Sequence, residues 1–250
     1  MLLQYKESKP MLKWLLSFFL LFGLIFTIFN CTKRATTGGI RPSPVVLIPG
    51  TADTCFAEKG LDAVPERDAI RIEWIPSSED AVTGYELYRS SEKEGPYSLI
   101  ARLVITDSFF VDLGVSLYQR YYYYIEAVTD EGLKSDPSDT LDYKLIKKAT
   151  GLDPVGKASN PRPVFSWENP DPYAAPCYII RLIEAASGRY IWLHVVPSHY
   201  NKRESVDFNI DGSAVLDSLA KGVDYQWRVD IRGPEEHCGS ESNWVAFRVQ

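Results

Sequence analysis

The chain has 250 residues, with 27 Lys and Arg against 33 Asp and Glu, a formal net charge of −6. That acidity argues against a nucleic-acid partner, which needs a basic face, and no run of like charge is long enough to form an interaction tail. With 45% hydrophobic and 13% aromatic residues, the chain can bury one or two real cores.

The N-terminus stands apart from them. From Leu15 to Phe29 the sequence "LLSFFLLFGLIFTIF" is uncharged, and Lys6, Lys9 and Lys13 precede it. A basic flank followed by about fifteen apolar residues is the layout of a secretory signal, whereas a spanning helix wants roughly twenty. Cys31 follows, then the polar "TKRATTGG". This arrangement resembles the bacterial lipoprotein signal, which implies that residues 1–31 are a signal peptide and Cys31 the lipidated first residue of the mature chain. Phe29 and Asn30 stand where that signal usually has small residues, and the alternative is an uncleaved, slightly short membrane anchor. Either reading places residues 32–250 outside the cytoplasmic membrane, on the periplasmic or surface face of a bacterial cell envelope. Met11 opens a compact basic-then-apolar start of its own, so residues 1–10 read as an over-extended gene start.

Residues 32–54 read as an extended tether. Pro42, Pro44 and Pro49 oppose helix and favour extended backbone, and the short apolar run Val45 to Ile48 is expected to dock on the first domain.

The rest of the chain repeats. "IRIEW" ends at Trp74 and "GYELYR" places Tyr85 eleven residues on; "PVFSW" ends at Trp167 and "CYIIRL" places Tyr178 eleven residues on. Both landmarks recur after 93 residues. A third recurs after 104: Val115 lies six before Tyr121, which opens Tyr121, Tyr123, Ile125, Ala127 at period two. Leu219 lies six before Tyr225, which opens Tyr225, Trp227, Val229, Ile231. Short alternating segments broken by "DEG", "ASGR" and "NIDG", with no long helical stretch, predict a β-sandwich or barrel.

A tryptophan ending the second strand, a tyrosine opening the third and "L-x5-Y-x-aromatic-x-V" on the sixth resemble the fibronectin type III domain. "LAKGVDYQWRV" is the better match and "VSLYQRYYYYIEAV" the longer. The resemblance implies an all-β chain of two tandem immunoglobulin-like sandwiches, residues 55–146 and 150–250, after an N-terminal signal or anchor helix. It says little about function, because this architecture hosts many unrelated roles.

Alternation in "RYYYYIEAV" sends Tyr121 and Tyr123 inward with Ile125 and Ala127. Tyr121 takes the family's corner position, with Trp74 expected to pack beneath it. Tyr122 and Tyr124 then face outward beside Tyr88 of the neighbouring strand. Exposed aromatics there read either as a binding face or as ordinary cross-strand pairs.

Four cysteines are present, and with Cys31 lipidated Cys55, Cys177 and Cys238 remain. The resemblance puts Cys177 at the start of the third strand and Cys238 in the loop after the sixth. Those two strands are antiparallel neighbours, which implies a Cys177–Cys238 disulfide and leaves Cys55 over. The rival reading of "EEHC", Glu235 to Cys238, as a metal site has no second His/Cys cluster to complete it. His194, His199 and His237 sit in no nucleophile elbow, zinc signature or phosphate loop, so no catalytic residue, metal or cofactor is expected. Two functions remain: an anchored binding, adhesion or complex-assembly module for a protein or glycan, and a passive envelope spacer. The end of the chain at Gln250, just past "WVAFRVQ", leans toward a terminal binding module.

Overall fold

The computed structural model describes residues 39–171 and 175–250; the expected signal segment and Cys31 lie outside the described residues. The first eight strands are β1 (Val46–Leu47), β2 (Asp62–Ala63), β3 (Ile70–Ile75), β4 (Val82–Ser90), β5 (Ser98–Val104), β6 (Phe109–Asp112), β7 (Arg120–Thr129) and β8 (Leu141–Leu145). Period-two patterning makes them: Ile70, Ile72 and Trp74 of β3 face Tyr121, Tyr123, Ile125 and Ala127 of β7, all buried. One sheet has β3 at its centre, pairing β6 and successive stretches of β1 and β2. The other runs β5–β4–β7–β8.

The remaining strands are β9 (Thr150–Asp153), β10 (Gly156–Ala158), β11 (Val164–Glu168), β12 (Cys177–Glu184), β13 (Tyr190–Pro197), β14 (Arg203–Asp207), β15 (Asp224–Arg232), β16 (Cys238–Glu241) and β17 (Val245–Val249). Here β9–β11–β14 form one sheet. Opposite it lie β13, β12, β15 and β17, with β16 pairing the far end of β15. A three-stranded layer against a four-stranded one, in this order, is the fibronectin type III sandwich, and it occurs twice. No helix lies among the described residues.

The paired landmarks occupy matching places. Trp74 meets Tyr85 edge-on at 5.6 Å and Trp167 meets Tyr178 at 5.0 Å. The corner hydroxyls accept from the backbone five residues upstream, Tyr121 from Ser116 N at 3.2 Å and Tyr225 from Ala220 N at 2.9 Å. The ring partner of Trp74 is thus Tyr85, and Tyr121 carries the Arg89 guanidinium over its face instead.

Two features go beyond the sequence pattern. Val45 and Leu47 are buried in the first core, and β1 pairs with β3. The apolar run assigned to a tether is therefore the first strand of the fold, because its alternate side chains cover an open edge of the core. Second, β8 pairs in parallel with β16, Lys144 opposite Cys238 and Leu145 opposite Gly239. Lys144 N donates to His237 O and Ile146 N to Gly239 O. The four-stranded layers of the two sandwiches thereby join into a single ten-stranded sheet.

Candidate functional site

The three outward tyrosines lie on one face of that sheet. Tyr88 and Tyr124 are register partners on β4 and β7, and their rings stack at 4.7 Å and 17°. Tyr97, from the turn before β5, tilts onto Tyr124 at 4.9 Å. Tyr122 opens onto a shallow hollow with Lys93, Arg120 and His237. All three predicted tyrosines are half-buried, and Tyr122 stands outside the ring stack.

Ions frame the strip. The Tyr88 hydroxyl donates to Glu86 at 2.6 Å and accepts from the Lys134 ammonium. Lys134 also pairs with Glu86 and Glu126 and lies 5.1 Å from the Tyr88 ring. Burial, then the bond to Glu86, pushes the Tyr88 phenol up to about 12. The hydrogen bond from Lys134 holds Glu86 down at about 2. The Tyr88 hydroxyl therefore stays protonated at neutral pH, and the face presents half-buried aromatic rings with fixed charges beside them.

The same position on the second sandwich is built quite differently. Adding 93 to Tyr88 gives Arg181 and adding 104 to Tyr124 gives Arg228; these arginines are again register partners. Here the loop between β1 and β2 covers them. The Arg181 side chain is fully buried. It donates to the carbonyls of Asp53 and Cys55 at 2.6 and 2.7 Å and pairs with Glu58 and Asp230 at 2.6 and 2.5 Å. Arg228 pairs with Glu58 at 2.5 Å, Asp230 at 2.8 Å and Glu241 at 2.9 Å, with Trp244 against its guanidinium.

Glu58, Asp230 and Glu241 lie close enough together to share a cation, and the Arg228 guanidinium contacts all three. Asp62 stands beside them, its carboxylate accepting from Tyr143 at 3.0 Å. Burial and then Glu58 push Asp62 up to about 7; burial and then Asp230 push Glu241 up to about 10. Four carboxylates face two guanidinium groups, an excess of acid that favours proton retention on Asp62 and Glu241.

The expected Cys177–Cys238 bridge is not formed, and Cys55, Cys177 and Cys238 are all free thiols. After β15 the chain turns back as β16, so Arg232 has Cys177 opposite it on one side and Gly239 on the other. A whole strand separates the two cysteines. Two strand spacings amount to about 9–10 Å, beyond the roughly 4.4–6.8 Å that a disulfide spans between Cα atoms. Both thiols line a cavity of about 410 Å³ beside the loop, with Asp53, Ile179 and Arg232, and burial raises both thiol pKa values. In the "EEHC" segment, Glu235 turns to Arg120 and Lys144 at 2.9 and 2.7 Å. His194, His199 and His237 each face a separate carboxylate: Asp211, Glu204 and Asp142.

Sequence reasoning missed Tyr97 and the arginine cluster. The repeat offsets carried the signal for Arg181 and Arg228, since they place arginines where the first copy has tyrosines.

No family model matches the chain. Over 77 residues it is 38% identical to an amylopullulanase of Thermoanaerobacter thermohydrosulfuricus, a stretch covering 30% of this chain and 5% of that protein. The chain thus spans a small part of the curated relative it matches. Among solved structures it is similar to an Fn3-like protein from Clostridium thermocellum, with 28% identity, 35% of this chain and 90% of that one covered, and a TM-score of 0.29. The FN1–FN3 domains of chicken CNTN1 share 16% identity over 86% of this chain and 70% of theirs, at a TM-score of 0.38. A two-domain fibronectin type III segment of chicken tenascin shares 17% over 75% of this chain and 95% of its own, at 0.31. By its own strand order, the chain is a tandem of two fibronectin type III-like sandwiches.

Proposed function

We propose that this chain is an exported, membrane-anchored, non-catalytic binding module of the bacterial cell envelope whose contact face is the Tyr88–Tyr122–Tyr124 strip. One observation carries the reading. The matching face of the second sandwich already holds a turning loop segment, residues 53–58, gripped by Arg181 and Arg228. This sheet face therefore accepts chain in one copy, while in the other it presents stacked rings. Clustered tyrosines of this kind suit a protein or glycan surface, because rings supply apolar contact area and phenols outside the Glu86–Lys134 network supply hydrogen-bonding groups.

The test is crosslinking in intact cells followed by capture of the chain. Changing Tyr88, Tyr122 and Tyr124 to Ser should release the partner while leaving the fold nearly intact, since each cross-strand pair contributes about 0.2–1 kcal/mol. The anchor is tested separately with an alkyne fatty acid. Label should enter the wild type and be lost in Cys31→Ala; label retained by the variant would refute lipidation there.

The spacer reading draws on a different observation, the sheet that runs through both sandwiches, which suits a stiff strut. It becomes the better reading if the triple Ser variant keeps every crosslinked partner of the wild type.

A further inference from the structure

Among the described residues, the loop between β1 and β2 lies over the outer face of β12 and β15, held by hydrogen bonds and ion pairs to two arginines and by Phe56 against Tyr190 of β13 at 5.0 Å. Two carbonyls and Glu58 hold Arg181, and Glu58 also holds Arg228. Asp62 closes the loop at the start of β2, its Oδ1 accepting from Ala63 N at 2.8 Å and from Tyr143. We propose that this loop is a proton-controlled latch, closed on the second sandwich while Asp62 is protonated and loosened when Asp62 ionises.

The groups around Asp62 set the direction. Glu58 and Asp53 of the loop, Asp230 of β15 and Glu241 of β16 share its small cavity, with Tyr143 of β8 as its donor. The cations on that side are Arg181 of β12, Arg228 and Arg232 of β15, and His237, which lines the larger cavity beside Asp62 together with Glu235 and Glu236. Arg228 is already committed to three carboxylates and Arg232 faces Asp53. On the β3 side, Arg71 is committed to Glu73. Lys59 and Glu66 line the adjoining hollow, and Lys148 donates to the carbonyls of Val64, Pro65 and Arg67. No cation among the described residues forms an ion pair with Asp62. Its negative charge would therefore act against Glu58, which ties the loop to Arg181 and Arg228, and against Asp230 beside it.

The sign follows from linkage. Asp62 has its affinity for a proton raised by burial to about 7, against an ordinary 3.8. Opening removes Glu58 and hydrates Asp62, which lowers its proton affinity from about 7 toward the ordinary value, so the closed latch binds more protons than the open one. Closure weakens as pH rises through that window.

Hydrogen exchange of the full chain in detergent micelles tests the proposal, with each rate divided by its intrinsic chemical rate. Between about pH 6 and about pH 9, protection of residues 53–61 should fall about tenfold while the core strand 165–167 stays protected. Asp62→Asn, permanently neutral, should show a smaller fall than the wild type across the same range, because the raised Asp53, Glu58 and Glu241 carboxyls remain. A wild-type loop whose protection does not change, or an Asn variant that loses it in parallel, would overturn the latch. Should Asp62→Asn lose protection at 165–167 as well, Tyr143→Phe replaces it. Removing that donor disfavours the ionised carboxylate and should move the midpoint to higher pH; an unmoved midpoint would equally sink the idea.

Discussion

At the scale of single residues, the ordering of the tyrosine strip depends on Glu86. Lys134 and the Tyr88 hydroxyl hold this carboxylate well below its ordinary 4.5, at about 2. A depressed carboxylate stabilises the fold fully above its unfolded value and loses that contribution as pH falls through the folded one. Glu86→Gln should therefore lower the urea midpoint at about pH 6, and the gap to wild type should close as pH falls from about 4.5 toward 2. A gap that stays constant with pH would show that the loss is steric. Alternation alone made Tyr122 and Tyr124 legible as outward residues. Tyr97 was not legible, because it reaches Tyr124 from the turn before β5, and period two says nothing about side chains in turns. The same limit applied to Cys238: its strand, β16, lies inside a segment that reads as a loop of Gly, Pro and Glu.

At the scale of elements, β12 and β15 are buried on both faces, although antiparallel strands usually leave one face to water. Their inward residues were readable from spacing, and their outward burial was not. The cover comes from a loop more than a hundred positions earlier, and no local pattern records such a contact. Removing one partner from a buried ion cluster strands the others, so Arg181→Ala should cost about 3–5 kcal/mol. Glu241→Gln should be close to neutral at pH 7, because burial keeps this carboxyl protonated up to about 10. Urea unfolding of both variants checks the contrast, and equal losses would mean that Glu241 is ionised in place. A repeat in the hydrogen bonding also went unread. Ser138 Oγ accepts from Ile125 N and Ser242 Oγ from Val229 N, separated by the same 104 residues as the corner tyrosines. Serine is too common for one such pair to stand out before its strand partner is known.

At the scale of the whole molecule, Trp74 and Trp167 anchor two separate cores, yet one sheet and one ion cluster tie those cores together. Replacing either tryptophan with Ala should cost about 3–5 kcal/mol. The joined sheet predicts a single calorimetric transition that shifts in both variants. Two resolved transitions, with only one moved in each variant, would show that the halves unfold independently despite sharing β8 and β16. That the chain is two sandwiches could be read from paired landmarks; that they are fused could not, since the fusing pairs are backbone groups of Lys144, Leu145, Cys238 and Gly239. Their fusion has a consequence for any attempt to cut the molecule in two. In the first half alone, β8 would become an outer strand with bare N–H and C=O groups along its side, and such strands recruit other chains. Residues 39–146 expressed by themselves should therefore self-associate with rising concentration in sedimentation velocity, and a Pro at Lys144, which removes one of those donors, should suppress the association.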